Sequence, residues 1–265
     1  MHFLDTFLTV YQHFLTQYGT LFIDPGQKIF RSFSVVMLVW FGVMTAVNSS
    51  EFMGGFRWGS FIKLLLLIAT CKYLLYNYTD FLNLIAGFSA DIATKIQAQV
   101  DTNFFQHLVA MVDGIEKPNP FNIILSLIYV IMYAFTAILK AVVYYVIAFG
   151  FLAEGVIAML GPFFVPFLII PKLDFIFWGW LKSLIQYAFY PIVANAFVYV
   201  WSGFITSQDI YKHLSGSQLV SSGIPIIIIC LVGIFSIFKV PTLVNHIFSG
   251  ISGAGSSIIP FTGGK

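Results

Sequence analysis

Charge is what this chain has least of. Charged residues make up 9% of its 265 residues and hydrophobic ones 59%, and the mean hydropathy is +0.91. A soluble domain carries about 25% charged residues, so a water-soluble fold is excluded. The net charge of +2 is too small for a basic nucleic-acid-binding face. Cysteine is nearly absent too. Cys71 and Cys230 both lie inside apolar runs, where they act as small hydrophobes, and no disulfide is expected. The opening Met-His-Phe-Leu-Asp has no basic residue, and the first lysine is Lys28. A cleaved signal peptide is therefore not expected, and the first membrane span must do the targeting.

Chemistry-bearing groupings are missing as well. No Ser-His-Asp or Cys-His arrangement is visible, and His107 and His246 stand alone, without metal-ligand spacing. Gly250, Gly253 and Gly255 invite a phosphate-loop reading, which fails because no Gly-Lys-Ser/Thr follows and no strand precedes. Two glycosylation sequons, at Asn48 and Asn77, sit in or beside spans and are set aside. No enzyme activity, cofactor or metal is expected. Polar side chains are too few for a selective small-solute pocket, which needs several converging polar groups. The abundant Phe and Tyr are read as helix contacts and lipid-facing surface.

What is present is six long hydrophobic stretches. One crossing of the hydrocarbon core takes about 20 apolar residues. The expected fold is all-α: a polytopic integral membrane protein with five or six transmembrane segments and two amphipathic extramembrane helices. Residues 1–28 form the first of these helices. Its apolar positions, including Phe3, Phe7, Tyr11, Phe14 and Tyr18, recur at helical spacing opposite Asp5, Gln12, His13 and Gln17. That polar face has no Lys or Arg, which favours packing against a partner over lying on anionic lipid. Residues 29–88 hold two spans, the second near Phe61 to Phe88. Residues 89–120 form the second amphipathic segment, placed outside the bilayer and closed by Gly114, Pro118 and Pro120. Residues 121–248 form a cluster of spans broken by Pro and Gly, and 249–265 are a flexible Gly/Ser-rich tail.

Within that cluster, Gly150, Glu154 and Gly155 place a break at Phe149 to Gly155 between a long third span and a short fourth. Gly161, Pro162 and Pro166 make the fourth a discontinuous or re-entrant segment, a geometry that survives only where protein or water satisfies the freed backbone groups. Trp178 and Trp180, beside Lys172, Asp174 and Lys182, are read as an aromatic anchor at headgroup level. Lys239 and Pro241 interrupt the last span.

Glu154 has two readings: a proton or ion site within the bilayer, or a residue in an interfacial turn between glycines. Lys72 and Asp80 are spaced two helical turns apart, too far for direct contact along one helix. Lys72 lines a polar space between helices, pairs with a neighbouring subunit, or snorkels to the headgroups. A secondary transporter or ion channel would need Glu154, Lys72 or Asp80 in a polar path.

Two stretches carry a family resemblance. One is Ala158-Met159-Leu160-Gly161-Pro162-Phe163-Phe164-Val165-Pro166-Phe167-Leu168, with Phe177-Trp178-Gly179-Trp180-Leu181 opening the next span. The other is Val240-Pro241-Thr242-Leu243-Val244, leading through Phe248-Ser249-Gly250 into the tail. This combination and the order of elements resemble the TrbL/VirB6 family, polytopic inner-membrane subunits of type IV secretion and conjugation machines.

The resemblance implies a non-enzymatic channel or scaffold subunit that supports substrate translocation and pilus assembly as a ring of copies. Implied partners are stalk and pilin subunits, the inner-membrane scaffold, the secretion ATPase, lipid, and the DNA or protein in transit. It also implies a periplasmic 89–120 segment, against the positive-inside count, which puts that side in the cytoplasm. A cytoplasmic C-terminus, usual in the family, requires that the broken fourth or sixth segment not cross. The expected mechanism is structural. The N-terminal helix docks through Phe3, Phe7, Tyr11, Phe14 and Tyr18, while Gly161, Pro162, Pro166 and Pro241 set helix breaks that permit close packing at a ring interface.

Overall fold

The computed structural model describes residues 6, 9–11, 13, 14, 17, 19–48, 58–100, 106–113, 123–205 and 219–249. Phe3, Phe7 and Tyr18 and residues 206–218 and 250–265 lie outside the described residues. Those described are helical almost throughout. A 3-10 turn, Gly19–Phe22, leads into α1 (Ile23–Asn48), followed by α2 (Trp58–Tyr76), α3 (Tyr78–Val100) and α4 (Gln106–Asp113). Then come α5 (Ile123–Phe164), a second 3-10 turn (Val165–Ile169), α6 (Asp174–Ile205), α7 (Leu219–Ile237) and α8 (Val240–Ser249). Lipid offers no hydrogen bonds, so a spanning backbone must pair with itself, and an apolar run closes into helix.

Among the described residues, five stretches are long and apolar enough to cross a membrane: Ile23–Val47, Trp58–Tyr76, Ile123–Ile169, Asp174–Phe204 and Ile224–Ser249. The third corrects the sequence reading. Residues 121–171, expected to hold two spans with a break at Phe149 to Gly155, contain instead one 42-residue helix that runs through that point. The two glycines mark close approaches, not a turn. A Cβ on Gly150 would lie 2.7 Å from the Tyr190 ring and 3.0 Å from Pro191. A Cβ on Gly155 would lie 2.7 Å from the Tyr11 ring.

A second difference falls at Asn77. The span expected over Phe61 to Phe88 is interrupted there, between α2 and α3. The Asn77 Nδ2 donates to the Tyr73 carbonyl at 3.1 Å, the same oxygen that accepts from the Asn77 amide at 3.0 Å. Such local bonding by Asn competes with regular helix. The buried face nonetheless continues across the interruption through Leu64, Cys71, Leu75, Tyr78 and Leu82.

The chain forms two compact units. One comprises residues 8–87 and 152–185. In it α1 and α2 pack on each other and on the 3-10 turn Val165–Ile169. Edge-on pairs Phe22 with Phe163 (5.8 Å) and Phe33 with Phe167 (5.3 Å) line these contacts, and Phe41 meets Phe61 at 5.4 Å. The chain then turns at 171–173, where Lys172 adopts φ 75°, a left-handed conformation costing a non-glycine residue about 1–2 kcal/mol.

The other unit comprises residues 1–7, 88–151 and 186–265. Its α5 buries Met132, Leu139, Val143 and Ile147, spaced by seven, four and four residues along one face. Gly233 of α7 approaches Leu139 and Trp201, and Phe189 of α6 meets Phe248 of α8 at 5.7 Å. Gln186 donates to Asn245 between α6 and α8. The later part of α3 carries an exposed Lys95–Asp91 pair at 2.6 Å, worth about 0.3–0.5 kcal/mol.

Candidate functional site

Proline inside a helix removes one amide hydrogen and pushes away the carbonyl four residues earlier. Pro162 stands in the last turn of α5, so the carbonyl it deprives is that of Ala158. In lipid a bare carbonyl costs several kcal/mol. The fold supplies the missing donor from α3: the Tyr78 hydroxyl donates to the Ala158 oxygen. Tyr78 is 1% exposed.

Other side chains serve the same stretch of backbone. The Trp180 indole Nε1–H donates to the Ile157 carbonyl at 2.9 Å. The Cys71 thiol donates to the Val165 carbonyl at 3.4 Å, a weak bond suited to sulfur. Trp180 was expected at headgroup level beside Trp178. Two residues apart on a helix, the two rings point to nearly opposite faces, and only Trp178 is exposed while Trp180 is buried.

Glycine lets neighbouring elements come close here. A Cβ on Gly161 would collide with the Tyr78 hydroxyl and the Trp180 ring. A Cβ on Gly26 of α1 would lie 2.5 Å from the Pro162 carbonyl oxygen and 2.7 Å from its Cβ. The close contacts of Gly161 are thus made within the chain. Pro166 occupies the first positions of the 3-10 turn Val165–Ile169, where a missing amide hydrogen is tolerated. Pro241 lies in the first turn of α8, after a turn at Phe238 and Lys239, with the Leu243 amide donating to the Lys239 carbonyl at 2.9 Å.

The ionisable candidates are not brought together. Glu154 lies inside α5 and is 1% exposed, so the expected interfacial turn is absent. Next to it, the buried Tyr11 phenol is held above its ordinary value, first by burial and second by the Glu154 carboxylate. Lys72 and Asp80 lie exposed on α2 and α3, on either side of Asn77. Phe14 is exposed where Tyr11 is buried. Among the described residues, no group of His, Cys, Asp and Glu could hold a metal ion.

The arrangement combines a proline in the last helical turn, close-approach glycines, and side-chain donors on nearby backbone carbonyls. Sequence reasoning missed Tyr78. The available signal was Pro162 itself, which demands a donor for Ala158 without saying which one.

The family model described as TrbL/VirB6 plasmid conjugal transfer protein matches residues 32–240. That range contains Tyr78, Ala158, Gly161, Pro162 and Trp180, and leaves Gly26 outside. No curated protein matches the chain.

Proposed function

Because the chain belongs to the TrbL/VirB6 family, we propose that it is a channel and scaffold subunit in the bacterial inner membrane, acting as a ring of copies. The family makes it a component of conjugal transfer, or type IV secretion, systems, and its apolar helices make it a multi-pass membrane protein. In this reading it supports substrate translocation and pilus assembly without catalysing a reaction. Its partners are its own copies, stalk and pilin subunits, the inner-membrane scaffold and the secretion ATPase, with transient contact to DNA or protein in transit. The match over residues 32–240 carries the proposal. Support comes from the way polar side chains near the helix break are spent on backbone carbonyls.

The test is gentle detergent extraction of the native protein, native sizing and identification of co-purifying chains. A large assembly containing pilus and secretion ATPase subunits is expected. A lone monomer or small oligomer would favour a secondary transporter or ion channel, the reading that rests on buried Glu154 together with Lys72.

The N-terminal helix is the proposed docking element. Phe7→Asp places a charge on its apolar stripe, and burying an unpaired charge is costly. Recovery of partner chains is expected to fall at least about tenfold, which corresponds to about 1.4 kcal/mol, with membrane insertion unchanged. Undiminished co-purification would remove the helix from the interface.

A further inference from the structure

We propose that Tyr78 is a positioning residue whose hydroxyl replaces the amide hydrogen that Pro162 lacks, so that Tyr78 and Pro162 act as one joint setting the end of α5. Only the transfer readout below rests on the proposed function.

Pro162 leaves the Ala158 carbonyl without its helical donor. The Tyr78 hydroxyl donates to that same oxygen. Tyr78 is 80 residues away in sequence and reaches from another helix. It is also fixed from the side, because Gly161 leaves room for its hydroxyl where any Cβ would collide. The next carbonyl toward the N-terminus, that of Ile157, accepts from Trp180. A proline exposed only to lipid would leave a bare carbonyl; here that carbonyl is capped by a rigid ring with two side-chain torsions. The direction in which residues 162–169 leave the helix is therefore fixed by where α3 holds the phenol.

A residue that merely fills space would behave differently, and a double-mutant cycle separates the two roles. Tyr78→Phe keeps the ring and removes the donor. Pro162→Ala returns an amide hydrogen to Ala158 and makes the donor dispensable. The cycle is measured on the full-length protein in detergent by thermal unfolding. Alone, Tyr78→Phe should lower the apparent midpoint by about 3–8 °C, the shift for a buried acceptor left unsatisfied. In the Pro162→Ala background the same change should cost less than about 1 °C. Equal losses in both backgrounds, or no loss in either, overturn the proposal.

If Pro162→Ala does not fold, carbonyl labelling of Ala158 in the native sequence decides. Its NMR shift should move on Tyr78→Phe, and an unmoved shift overturns the hydrogen bond. Conjugal transfer is measured in parallel. Tyr78→Phe should reduce it at least tenfold at unchanged protein level, and wild-type transfer by a thermally coupled variant overturns the positioning role. Transfer that survives deletion of the whole chain would instead be a failure of the functional reading, and the thermal cycle is independent of it.

Discussion

Gly161→Leu is expected to prevent the protein from reaching its native fold, and even Gly161→Ala should lower the thermal midpoint by about 6–12 °C. The reason is that neither neighbour can step aside. The Tyr78 hydroxyl and the Trp180 ring both occupy the space of the new Cβ. Each is held there by a hydrogen bond, to the Ala158 and Ile157 carbonyls. Displacing the phenol leaves the Ala158 carbonyl unsatisfied and displacing the ring leaves the indole N–H unsatisfied, at about 1–3 kcal/mol each. Overpacking adds about 1–3 kcal/mol. A total beyond about 3 kcal/mol is a large part of a typical stability of about 5–15 kcal/mol and corresponds to the stated shift. Thermal unfolding of the alanine variant and size-exclusion profiles of the leucine variant check this. A wild-type midpoint for Gly161→Ala would mean that the close approach does not exist.

Gly26→Ala should be nearly as damaging, by a different route. The obstacle to its Cβ is backbone: the Pro162 carbonyl oxygen at 2.5 Å and carbonyl carbon at 2.8 Å. No rotamer change relieves that, so α1 must back away from the end of α5. The contacts of Phe22 with Phe163 and of Phe33 with Phe167 lie on the same face and loosen with it. A fall of about 4–8 °C is expected for about 2 kcal/mol of lost packing. Gly42 on the same helix is the control, since nothing lies within 4 Å of its added Cβ. Gly42→Ala should be neutral or gain up to about 1 kcal/mol from helix propensity. Equal losses at Gly26 and Gly42 would show that glycine composition, not the approach to Pro162, is being read.

Helix content and the proline positions were legible because each follows from one residue type. Apolar runs must be helical in lipid, and Pro162, Pro166 and Pro241 must interrupt amide donation wherever they fall. The glycines were misread because the rule applied to Gly150 and Gly155 belongs to water. In a bilayer, interrupting a helix exposes backbone that nothing solvates, and a small residue is instead a place for another element to approach. Tyr190 with Pro191 and Tyr11 use those places. Glu154, lying between them, went into the helix and out of contact with solvent. Asn77 escaped notice because one side-chain hydrogen bond suffices to interrupt an otherwise continuous apolar pattern. The donors to Ala158 and Ile157 were not readable at all. Each is a partnership across tens of residues, set by packing, with no spacing that announces it.

Length is the remaining feature with a consequence. The 42 residues of α5, at about 1.5 Å each, make about 63 Å of helix, about twice a hydrocarbon thickness of about 30 Å. The side chains it exposes are mostly apolar, from Ile123, Ile124 and Leu127 to Val156 and Leu160, with Lys140 among them. Lipid cannot cover all of it, and uncovered apolar surface is what chaperones and proteases act on. The expected consequence is that a copy lacking other cover for those side chains is degraded early, so that the amount of this protein in a cell would follow the supply of whatever shields them.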